Sequence, residues 1–175
     1  MSKSKLYVAI GALVVVLLGA GWYFGSPRWT LHQMQTAAQE KDADKLAGYI
    51  DFPALRASLK EQMKAKMAAE MMKVKDDNPF AALGAAFAVN MIDGMVEALV
   101  TPTAMREVFA NAPEPKPDEG KIGVRVKNLE MERVGLSEFR LVNQEDKTAS
   151  SLIFKRDGLG WKMTEIRVPQ DDVKS

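Results

Sequence analysis

The stretch "TASSLIFKRDGLGWKMTEIRV", Thr148 to Val168, decides the architecture. Thr148 to Lys155 and Trp161 to Val168 each read as a strand, and the "RDGLG" between them has the length and the Asp-Gly content of a hairpin turn. Gly158 and Gly160 belong in such a turn, so they do not by themselves suggest a phosphate cradle. Working upstream, Glu138 to Asn143 reads as another strand, linked to the first through "QEDK". Ile122, Val124 and Val126 alternate, and Leu129 and Met131 alternate in the opposite phase, which predicts one strand with a bulge or bend near Lys127-Asn128. The region 121–169 is thus expected to be a four-stranded antiparallel meander.

"APEPKPDEG", Ala112 to Gly120, has prolines at alternate positions and is expected to be an extended connector. Before it the apolar period is helical. Leu31, Met34 and Ala38 mark one face of a helix from Trp29 to Lys41, and Asp42 reads as the N-cap of a short helix with Leu46, Tyr49 and Ile50 inward. In "YIDFPALRASLKEQM", Tyr49 to Met63, Pro53 places a helix start, because a first-turn N–H would be unpaired anyway. Leu55, Leu59, Met63, Met67 and Met71 then recur every four residues among Arg56, Lys60, Lys64, Lys66, Lys73 and Lys75, giving a basic amphipathic helix. Asn78-Pro79 opens the apolar run Phe80 to Val100, and Thr101-Pro102 opens a last short helix with Met105, Val108 and Phe109 inward.

Helices followed by an antiparallel meander is the α+β pattern. The sheet needs a cover for one face, and the helical half 29–110 is the only supply. We expect a curved sheet wrapped around, or laid on, the helix Phe80 to Val100, buried over most of its circumference. A second membrane span there is disfavoured, since Asn90, Asp93 and Glu97 form a polar stripe and each carboxylate at mid-membrane would cost roughly 2 to 3 kcal/mol.

At the N-terminus, Leu6 to Phe24 is nineteen uncharged, mostly apolar residues. As a helix, at about 1.5 Å per residue, it spans the roughly 30 Å of a bilayer core. Lys3 and Lys5 before an apolar run also suit a cleaved signal peptide, but this run is long for one and closes on Trp22, Tyr23 and Phe24, an interfacial belt. The reading is an anchor at 1–26 and an exported α+β domain at 27–175. The positive-inside bias places the N-terminus in the cytoplasm of a single-pass inner-membrane protein, and in a bacterium its C-terminal domain is then periplasmic. The absence of cysteine excludes disulfides and thiol redox chemistry. Without Lys3 and Lys5 the remainder holds 22 basic and 23 acidic residues, a balance that does not call for nucleic acid.

No motif for catalysis, metal or cofactor emerges. His32, the single histidine, lies beside Gln35 and Gln39 on the polar side of its helix, where an exposed role is expected rather than a catalytic one. The stripe Met63, Met67, Met71 has the thioethers that suit Cu(I), but core packing explains it better. Three carboxylates remain as ligand or functional candidates. Asp51 stands before Pro53, where a helix cap is the plain reading. Asp93 and Glu97 form an i, i+4 pair that could share a proton or hold a cation, against an ion pair with the basic helix.

The N-terminal span, "SPRWTLHQMQTAAQEKDADKLAGYIDFPALRASLKEQM" from Ser26 to Met63, and "SSLIFKRDGLGWKMTEIRVP" from Ser151 to Pro169 together resemble DUF2939, a family of bacterial membrane-anchored proteins of unknown function. The resemblance implies no catalytic residue. The closing strand, turn, tryptophan and strand also look like the end of an NTF2-like cone fold, although the helices found here are more numerous than that pattern has. The expected function is a non-enzymatic, inner-membrane-anchored domain that binds a protein partner or a small apolar ligand on the concave side of its sheet. The alternatives are a hydrolase or isomerase whose buried Asp51, Asp93 or Glu97 has a raised pKa, and an envelope assembly factor acting through the membrane helix itself.

Overall fold

A computed structural model describes residues 3–73, 80–111, 121–122, 124–125, 129–143 and 150–168. The elements are α1 (Lys3–Gln39), α2 (Ala43–Ala47), α3 (Phe52–Lys73), α4 (Phe80–Leu99), α5 (Pro102–Asn111), β1 (Lys121–Ile122), β2 (Val124–Arg125), β3 (Leu129–Arg133), β4 (Glu138–Asn143), β5 (Ser151–Asp157) and β6 (Gly160–Arg167). The chain is α+β. The Asn78-Pro79 cap, the 112–120 connector, the bend at Lys127-Asn128 and the "QEDK" link lie outside the described residues.

The sheet is the meander β3-β4-β5-β6, antiparallel throughout. Asp157 pairs with Gly160, leaving Gly158 and Leu159 as a two-residue turn. Gly158 takes φ 58°, a conformation that glycine adopts without cost and that the tight hairpin requires at its first central position. Ile122 and Val124 prove to be partners in a separate two-stranded ribbon, β1-β2, so their alternation reflects a pairing and not one face of a longer strand.

One face of the sheet carries Phe139, Leu141, Phe154, Trp161 and Met163, all buried with Ile50 and Leu55 from the helical half. Phe139 and Phe154 stack with centroids 4.7 Å apart, and Trp161 meets Phe139 edge-on at 5.0 Å. These three rings supply the largest apolar area of the core, about 150 to 250 Å² apiece.

The helix that covers the sheet is α3, assisted by α1, rather than Phe80 to Val100. The reason lies at the free edge of β6. Asp51 N–H donates to the Met163 carbonyl (2.9 Å) and Met163 N–H donates to the Tyr49 carbonyl (2.8 Å), so the chain entering α3 is hydrogen-bonded to the edge strand. About three turns further along α3, Gln62 donates from Nε2 to the Ile166 carbonyl (3.0 Å) and accepts the Val168 N–H on Oε1 (3.1 Å). These bonds occupy backbone groups at Met163, Ile166 and Val168 on the edge and fix α3 along it. Along α3, Leu55 is buried, Leu59 touches the core, Met63 and Met67 are half-buried and Met71 is exposed, so the apolar stripe leaves the core as the helix outruns the sheet.

Helix α4 packs on α3 and is not buried over most of its circumference. Of its described side chains Val96 is buried, while Phe87, Met91, Met95 and Leu99 are exposed in a row four residues apart. The α1–α2 corner is a Schellman turn: Lys41 has φ 56°, Asp42 N–H donates to the Ala37 carbonyl, and Asp42 then caps α2 by accepting the Lys45 N–H at 2.8 Å. Thr101 caps α5 through the Ala104 N–H (3.0 Å), and α5 packs on α2.

Candidate functional site

Among the described residues α1 is the one helix long and apolar enough to cross a membrane, and it does not stop at Ser26-Pro27. It continues to Gln39 as a single helix with Pro27 inside. Proline has no N–H, so the Tyr23 carbonyl one turn earlier loses its usual donor. The Ser26 hydroxyl donates to that carbonyl at 3.3 Å, and Trp161 Nε1 donates to Ser26 Oγ at 2.9 Å. Pro27 and Trp161 are both fully enclosed. The break in the helix ladder is therefore where the last hairpin attaches to α1.

Below this joint the aromatic end of the apolar run also engages the sheet. The Tyr23 hydroxyl donates to the Leu136 carbonyl in the β3–β4 turn. The Arg133 guanidinium lies over the Tyr23 ring at 5.1 Å and the Phe24 ring at 5.2 Å; that of Arg156 lies over Tyr23 at 4.6 Å and Trp161 at 5.2 Å. Arg156 Nε donates to the Gly158 carbonyl at 3.2 Å. Sequence reasoning passed over Ser26, Arg133 and Arg156. The signal for Ser26 was its place beside a proline at the end of an apolar helix, where a hydroxyl can satisfy the freed backbone group.

The three carboxylate candidates are not brought together. Asp51 is half-buried at the start of α3, and its Oδ1 accepts the Ala54 N–H at 3.0 Å, the geometry of an N-cap. Asp93 and Glu97 sit on α4 facing α3. Lys64 Nζ lies 2.7 Å from Asp93 Oδ1 and donates to Oδ2 at 2.9 Å. Lys60 Nζ donates to Glu97 at 2.6 Å, with Arg56 3.3 Å away. The bonded Lys60 ammonium, helped by Arg56, holds the Glu97 carboxyl below the usual range. Lys64 lies thirteen residues along α3 from Asp51, roughly 20 Å at the helical rise. The ammonium groups of one helix and the carboxylates of the other form a ladder that joins α3 to α4.

The space between sheet and helices, where a ligand was expected, is filled by Phe139, Phe154, Trp161, Met163 and the helix side chains packed on them. A shallow open cleft of about 400 Å³ lies elsewhere, between the α1–α2 corner and α5, lined by Asp42, Asp44, Arg106 and Phe109 among others. Its Asp44 is paired with Arg106 at 2.6 Å, and it contains none of the three candidates. His32 is exposed on α1.

The fold and this joint define an α+β domain built onto the end of one long apolar helix. The chain belongs to DUF2939, a family of proteins of unknown function, which matches residues 16–108, more than half of its length. The matched part holds the joint at Tyr23 to Pro27, Asp51, the α3–α4 ladder and the exposed stripe of α4, and it ends before the sheet. No curated protein and no solved structure matches the chain.

Proposed function

We propose that this protein is a non-enzymatic binding domain held at the outer face of the inner membrane by an uncleaved α1, with its N-terminus cytoplasmic and residues 27–175 in the periplasm. The observation that carries this reading is the continuity of α1. A signal peptide is cut near the end of its apolar core. Here that region is unbroken helix, and Tyr23, Ser26 and Pro27 are bonded to or enclosed by the sheet. Removing the apolar run at that point would take away Tyr23 with its contacts to the β3–β4 turn, Arg133 and Arg156, and the helical turn that leads into the buried Ser26 and Pro27.

The binding surface in this reading is α4. Phe87, Met91, Met95 and Leu99 form a seam four residues apart, and Gly94 beside it has open space above its Cα, so a partner's apolar helix can lie close along it. A protein partner fits this surface; a small apolar ligand would need an enclosed pocket. The carboxylate-enzyme alternative requires a raised pKa, and Glu97 is displaced in the opposite direction.

The test uses the full chain in native membranes. The intact mass should retain residue 1–24 sequence, and the protein should resist alkaline carbonate extraction. Because the chain lacks cysteine, Val108→Cys on α5 gives a clean handle, which an impermeant thiol reagent should label from the periplasmic side. Phe87→Asp with Met91→Asp should reduce the size of the detergent-extracted complex on a native gel. A soluble product starting beyond Phe24, or labelling only after inner-membrane permeabilisation, would contradict the anchor and its topology; an unchanged complex would remove α4 as the contact.

A further inference from the structure

The two hairpin turns at one end of the sheet expose large apolar side chains without any cover. Val134 and Leu136, in the β3–β4 turn, are 48% and 79% exposed, and Leu159, in the β5–β6 turn, is 75% exposed. In an up-and-down meander these two turns share one end of the sheet. That end is not free in space. The Tyr23 hydroxyl bonds the Leu136 carbonyl, and Arg156 links the Tyr23 ring to the Gly158 carbonyl, so both turns are held at the level of the Trp22-Tyr23-Phe24 belt. Trp22 and Phe24 are themselves 50% and 64% exposed. Arg133 and Arg156 have no carboxylate within 4 Å among the described residues, and they stand on the aromatic rings beside the turns.

We propose that these two turns enter the bilayer surface: Leu136, Val134 and Leu159 sit among the upper acyl carbons beside the aromatic belt, and Arg133 and Arg156 reach the phosphates of anionic lipids. The inference rests on the reading of α1 as a retained span and adds a second membrane contact made by the folded domain. Depth supports it, because a turn bonded to the end of a membrane span is itself at the interface. Chemistry supports it as well, because apolar tips beside arginines and aromatic rings match the acyl, phosphate and headgroup layers in order. The exposed stripe of α4 has no such tie to the anchor.

Full-length chains, each with one cysteine carrying an environment-sensitive fluorophore, can be placed in nanodiscs of phosphatidylglycerol and phosphatidylcholine with nitroxide-labelled acyl chains. Probes at Leu136→Cys and Leu159→Cys should be quenched by the shallow nitroxide several-fold more than a probe at Val108→Cys. Val108 is the right control because α5 rests on α2, beyond Gln39, and Gln39 lies sixteen residues past Tyr23, about 24 Å along α1. Turn quenching equal to that of the Val108 probe would overturn the inference. A probe at Val14→Cys separates it from the reading beneath: Val14 quenched by the deep nitroxide with silent turns leaves the anchor and removes the docking, whereas a silent Val14 removes both. Replacing Arg133 and Arg156 together by Gln should lower turn quenching in the anionic discs, and no change there would remove the arginines from the contact.

Discussion

Phe139 and Phe87 are the same side chain in opposite circumstances. Phe139, on β4, has no exposed surface and stacks on Phe154, while Phe87, on α4, is 73% exposed. The segment around Phe87 is the more uniformly apolar of the two, and burial nevertheless went to the sheet. What differs is the supply of directional bonds. The β6 edge holds α3 through Tyr49, Asp51 and Gln62, and Trp161 holds α1 through Ser26, whereas α4 is joined to α3 by the charged ladder Lys60–Glu97 and Lys64–Asp93. Hydrogen bonds to an open strand edge selected the covering helix, and the helix left over kept an apolar face outward.

The comparison is strained most by Trp161→Ala. It empties the site between Phe139 and Ser26, and the loss should be about 3 to 5 kcal/mol, measured by denaturant titration of the detergent-solubilised full chain. Asp51→Ala acts on the sheet side too, by leaving the Ala54 N–H without its acceptor; a loss of about 0.5 to 2 kcal/mol is expected, and an unchanged stability would show that the cap does not hold α3 on the edge. On the other side, Phe87→Ser should move the stability of the isolated protein by no more than about 0.5 kcal/mol, the behaviour of an exposed position. A larger loss would mean that α4 is packed like the sheet.

The smallest effect concerns the ladder. Glu97 has a folded-state pKa below its unfolded one, so its contribution is complete above the ordinary carboxylate pKa and disappears as the pH falls through the lower, folded value. Glu97→Gln should lower the neutral plateau slightly, since the pair is exposed, and leave the acid end unchanged, so that the acid limb becomes less steep. A variant whose instability persisted at every pH would point to packing at this position in place of charge.

Local signals carried much of the fold. The Asp157-Gly158 turn, the caps at Asp42, Asp51 and Thr101, and most of the helical periods arise within a few residues and are where the sequence places them, whereas Val108, expected inward on α5, is exposed. The choice of covering helix was illegible because it depends on contacts such as Gln62 with Ile166, 104 residues apart, for which no local pattern exists. The helix expected from Trp29 proves to be the continuation of the apolar one, carried through Ser26-Pro27 by a serine hydroxyl and an indole 135 residues away, a contact that no local pattern announces. Of the candidate carboxylates, the partner of Asp51 is three residues along the chain, whereas those of Asp93 and Glu97 were foreshadowed only by the opposite charge of α3. The cluster of Arg133 and Arg156 on Tyr23 exists only once the sheet is folded against α1.

The α+β domain is built onto its long apolar helix through Trp161 and Ser26. A double-mutant cycle with Ser26→Ala and Trp161→Phe, the latter keeping a ring while removing the indole N–H, measures that link directly in the full chain. A coupling energy of about 0.5 to 3 kcal/mol is expected, and additivity within about 0.3 to 0.5 kcal/mol would show that the two side chains do not join the domain to the helix.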